Sequence, residues 1–86
     1  MPIPSTTKSL PSVALRDAWA VHLRDIKFAS SIETLSNNLY LSSGWVTGLV
    51  QAEVIDINTF ESLFAERNAA EETAKMRLCA QPLIAF

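Results

Sequence analysis

Residues 30–52 read SSIETLSNNLYLSSGWVTGLVQA, and how this stretch folds decides the architecture. Ser30 followed by Glu33 forms an S-x-x-E capping box, which predicts a helix start. Ile32, Leu35 and Leu39 then recur at helical spacing, and Val46, Leu49 and Val50 stay in phase with them. On one reading the helix runs through to about Ala52. On the other, the chain turns near Tyr40 to Ser42 and a new helix opens at Ser42 or Ser43.

From Thr34 to Ala52 there is no Asp, Glu, Lys or Arg. The length of that run invites a membrane span. Eight polar side chains, among them the adjacent Asn37 and Asn38, argue against one, because each would need a partner in hydrocarbon. The expected setting is a central helix of a soluble bundle. If the helix is continuous, Ser36, Tyr40, Gly44, Gly48 and Ala52 share one face at i, i+4 spacing. Each glycine costs a helix up to about 1 kcal/mol relative to alanine. Two of them therefore predict close approach by another helix, from this chain or a second copy. Trp45 beside these glycines is a candidate anchor for a partner, or a core residue filling the space they leave.

Outward from this stretch the remaining elements are also helical. Residues 1–12, MPIPSTTKSLPS, predict an extended, mobile leader. Ser12 is a candidate cap for a helix over about 13–29, with Leu15, Trp19, Leu23 and Ile26 on one face. Asp56 or Asn58 caps a third helix over about 59–78. Its apolar face is Phe60, Leu63 and Phe64, and the following AERNAAEETAKMR offers little core. Pro82 ends it. Leu83, Ile84 and Phe86 form an apolar tail over 81–86 that covers its own core or docks on a partner. No strand signal is present. The expected fold is all-α, a small bundle of three or four helices in a single domain over 13–80.

The 86 residues carry a formal charge of −2, with 49% apolar and 19% charged residues. Such a chain folds, but at this size it buries only about two-thirds of its unfolded surface. Residues 1–50 carry four cations against three acids, and residues 51–86 three against six. General attraction to phosphate polymers is not expected. Cys79 is alone, which excludes a disulfide scaffold and suits a reducing, cytoplasmic compartment. The start lacks the apolar core of a secretory signal. His22 is the only histidine, so no histidine pair can bind a metal, and no phosphate-cradling loop exists. No catalytic residue, cofactor or small-molecule substrate is expected, and the chain reads as a non-enzyme.

Residues 35–49 resemble the helix-turn-helix core of phage repressor and Cro-type proteins. Leu35, Leu39, Leu41, Val46 and Leu49 fall at that family's apolar positions, and Ser42 stands where its recognition helix opens. The resemblance implies DNA binding through Ser42, Ser43, Thr47 and Gln51, with Arg16, Arg24 and Lys27 on the phosphates. Tyr40 departs from the family's turn glycine, and the run holds no cation for a phosphate. The leading expectation is therefore a small protein-binding helical module. It should self-associate as a homodimer and resembles phage and plasmid accessory proteins in size and style. Its contacts would be the 36/40/44/48/52 face, Trp45 and the apolar tail.

Overall fold

The computed structural model describes residues 10–80. They form three helices, α1 (Val13–Lys27), α2 (Ile32–Gln51) and α3 (Ile57–Ala80), each packed against the other two. Among the described residues there is no strand.

Each start is fixed by an oxygen on the preceding turn. The Leu15 amide donates to Ser12 Oγ at 3.1 Å, and the Thr59 amide to Asp56 Oδ1 at 2.9 Å. For α2 the cap lies one residue later than expected: Ser31, not Ser30, accepts from the Thr34 amide at 3.1 Å. The capping box is accordingly out of register, and Glu33 stands in the first turn, where a carboxylate suits the helix dipole.

The ends differ more from expectation. α1 stops at Lys27, two residues early. Arg24 O and Ile26 O accept from the backbone amides of Phe28 and Ala29, while Asp25 O, Lys27 O and, just past the helix, Ala29 O are taken by side chains from the other helices. Arg77 of α3 donates to Lys27 O at 2.6 and 3.2 Å and to Ala29 O at 2.7 Å, and Asn38 of α2 donates to Asp25 O at 3.0 Å. α2 closes through Glu53, whose φ of 63° is left-handed. The Val54 amide reaches back to Leu49 O at 2.9 Å, as in a Schellman closure.

The core has two joined parts. One holds Leu10, Trp19, Val46, Ile55 and Leu63; the other holds Ile26, Ala29, Leu35, Ala70 and Ala74. Two expectations change here. Leu10, assigned to the leader, is 2% exposed and belongs to the core; residues 1–9 lie outside the described part. The later half of α3 also contributes two residues to the core, though most of it is exposed. Ala70 and Ala74 are 1% and 0% exposed, and their small side chains let α3 lie close to the α1–α2 corner.

Candidate functional site

The deciding stretch is one helix. No turn interrupts α2 at Tyr40–Ser42, so the break that the helix-turn-helix resemblance implies is not formed. A second departure concerns Ser42, which is fully buried, its hydroxyl donating to Leu39 O at 2.9 Å. Ser43 donates to the same carbonyl at 2.8 Å. Thr47 is half-buried and Gln51 exposed. Arg16 reaches back to Leu10 O at 3.4 Å, Arg24 lies 3.8 Å from Asp25, and Lys27 is exposed. The residues proposed for base edges are thus divided between core and solvent.

The small-residue face keeps its residues together and turns them outward. Ser36, Tyr40, Gly44, Gly48 and Ala52 are all exposed. A Cβ built at either glycine meets nothing within 4 Å. Close packing of these glycines against α1, one of the two expected outcomes, is therefore corrected. The small residues of the helices that are buried inside this bundle are Ala70 and Ala74 of α3 instead. Beside the glycines stand Tyr40, 81% exposed, and Leu41, 61% exposed. Leu41 was counted only as an apolar position of the resemblance. Its exposure follows from position: one residue is a 100° step on a helix, so Leu41 lies well away from Leu35 and Ser42 on the buried side.

Trp45 is drawn inward. Its ring stacks on Trp19 at 5.6 Å and lies 5.2 Å from His22. Trp19 is 1% exposed, and its indole N–H donates to Glu66 Oε1 at 2.8 Å, so its one polar atom is satisfied. His22 is pushed below the ordinary imidazole value, chiefly by burial against these rings, with Asp25 opposing. Trp45 thus commits one ring face to the core, where the sequence left an exposed anchor open.

The tail residues Leu83, Ile84 and Phe86 lie outside the described part. Between α1 and α3 runs an open groove of about 360 Å³, lined by Leu23, Lys27, Glu66, Ala69, Ala70 and Thr73. Glu66, its one acid, is already engaged by Trp19. Among the described residues no cluster of His, Cys, Asp and Glu is arranged to hold a metal ion, and no helix is long and apolar enough to cross a membrane. No protein-family model matches the chain, no curated protein matches its sequence, and no solved structure matches its fold.

Proposed function

We propose that the chain is a non-catalytic protein-binding module whose contact surface is the outward face of α2. One observation carries this. A solvent-facing helix side normally displays charge, yet this one has none from Thr34 to Ala52 and presents Tyr40 and Leu41 to water. Exposed aromatic and aliphatic side chains grouped on an uncharged surface mark a place where another protein excludes water. The module works by stoichiometric binding, in the manner of a small accessory protein. Exposed Cys79 is compatible with a reducing, cytoplasmic setting. The DNA-binding reading has less support, since α2 offers no cation and Ser42 is inside.

A photo-cross-linking residue at Tyr40, introduced in the native host, tests the proposal, with Ala20 on the exposed side of α1 as control. A discrete cross-linked species from position 40 alone is expected. The purified partner should then bind the wild type at least tenfold more tightly than Tyr40→Arg. Equal labelling from both positions, or none from position 40, removes the α2 face as a docking surface.

A further inference from the structure

We infer that the apolar segment 83–86 packs back over the end of the bundle where α1 ends and α2 begins. The segment lies outside the described residues; the surface that receives it does not. Phe28 closes α1 at 70% exposed, and Ile32 opens α2 at 57% exposed. Four residues apart, they flank Ala29, which is buried in the second part of the core with Ile26 and Leu35. Leu78 of α3 packs half-buried against that same group. The core therefore continues to the surface at this end as an apolar rim drawn from all three helices.

The exit of α3 names the occupant. Arg77 donates to Lys27 O and Ala29 O on either side of Phe28, which fixes the last turn of α3 to this loop. Ala80 ends the helix about 4.5 Å further along its axis. The residues that follow read QPLIAF. Pro82 disfavours helical backbone at Gln81 and directs the chain off the axis of α3. Six residues span up to about 20 Å, enough to return to Phe28 and Ile32.

The chemistry of the two sides matches. Leu83, Ile84 and Phe86 bring three large apolar side chains and no side-chain charge to a rim of Phe28, Ile32 and Leu78. Their burial drives the contact, and the ordering of a short segment opposes it. A tether this short holds the segment beside the rim at an effective concentration of about a millimolar, so the contact is made within one chain. The inference is independent of the docking face on α2, whose Tyr40 and Gly44 lie more than two turns along the helix from Ile32.

Thiol labelling at position 30 of the full chain reads this directly. Ser30 is exposed between Phe28 and Ile32, and the cap of α2 belongs to Ser31. Ser30→Cys in a Cys79→Ser background therefore leaves rim and cap in place. Replacing Leu83, Ile84 and Phe86 together by Ser should raise the labelling rate roughly threefold or more, the mark of a segment that occupies the rim most of the time. Tyr40→Cys in the same background should label at one rate with either tail. Phe28→Ser should raise the rate at position 30 as the tail substitutions do. The two changes together should add little more, since each removes one side of the same contact. Protection should be equal at about 5 µM and about 200 µM protein, both below the effective concentration of the tether. Equal labelling of position 30 with either tail overturns the inference. So does protection that appears only at the higher concentration, which would place the segment on a second chain.

Discussion

Trp19 of α1 and Trp45 of α2 stack with ring centroids 5.6 Å apart and planes 10° from parallel. This pair joins the first two helices, and Glu66 ties it to the third through the Trp19 indole N–H. Trp45→Ala removes half of the stack and uncovers Trp19. A fully buried Trp→Ala change costs about 3–5 kcal/mol; for the half-buried Trp45 a loss of about 2 kcal/mol is expected in urea unfolding. An unchanged midpoint would show that the stack contributes nothing to stability.

His22 lies 6.1 Å from Trp19 and 5.2 Å from Trp45. Burial pushes its pKa down from 6.5, so the unfolded chain takes up the proton first as pH falls. Stability is therefore undiminished above pH 6.5 and declines as pH drops from there through the folded-state value. Urea midpoints between pH 8 and pH 5 should fall for the wild type and fall less for His22→Gln. The same slope in both proteins would assign the effect to the carboxylates.

Much of this was legible in residue order, and the misses have physical causes. Ser12 and Asp56 cap where a short oxygen-bearing side chain precedes an apolar period, and Trp19, Ile26, Leu35 and Val46 are buried as that period requires. The glycine face was visible as a face, but i, i+4 spacing does not say which side of the helix meets the bundle. Its neighbours did carry that signal, since Leu35, Leu39 and Val46 hold the opposite phase. Ala70 and Ala74 were read as helix formers because an alanine at a tight crossing looks the same in sequence as one on the surface. Leu10 was hidden by prolines and serines that suggested a tail.

That contrast between the two small-residue sites predicts opposite outcomes for the same bulk. Ala74 is fully buried beside Ile26 and Leu35. Ala74→Leu forces α3 away from the corner and should cost about 1–3 kcal/mol or more. Gly44→Leu adds its side chain to open space and replaces a poor helix former, so it should raise stability by up to about 1 kcal/mol. Thermal unfolding at concentrations low enough to keep the chain monomeric separates them. Destabilisation by Gly44→Leu would mean that a helix packs on this face within the monomer.

Glu53 holds a left-handed φ of 63° at the end of α2. A residue with a Cβ is disfavoured there by roughly 1–2 kcal/mol, and glycine is not. Glu53→Gly should stabilise the fold, by about 0.5–1 kcal/mol once the larger chain entropy of glycine is counted. Glu53→Ala keeps the Cβ and should give no such gain. Equal effects from both would trace the change to the lost charge.

DNA binding has a direct check. Non-specific affinity comes from lysines and arginines releasing counterions from phosphates, and it falls steeply with salt. The cations available are scattered: Arg16 is turned to Leu10 O, Arg24 sits beside Asp25, and Arg77 is held by the carbonyls of Lys27 and Ala29. Titration into mixed-sequence duplex, followed by fluorescence anisotropy near 50 mM salt, should therefore show no saturation below ~100 µM, the weak limit of non-specific binders. Micromolar binding that weakens sharply near 200 mM salt would reverse this. It would return Arg16, Arg24 and Lys27 to the centre of the function, and the Arg16→Glu, Arg24→Glu double variant should then abolish binding while leaving the helical fold intact.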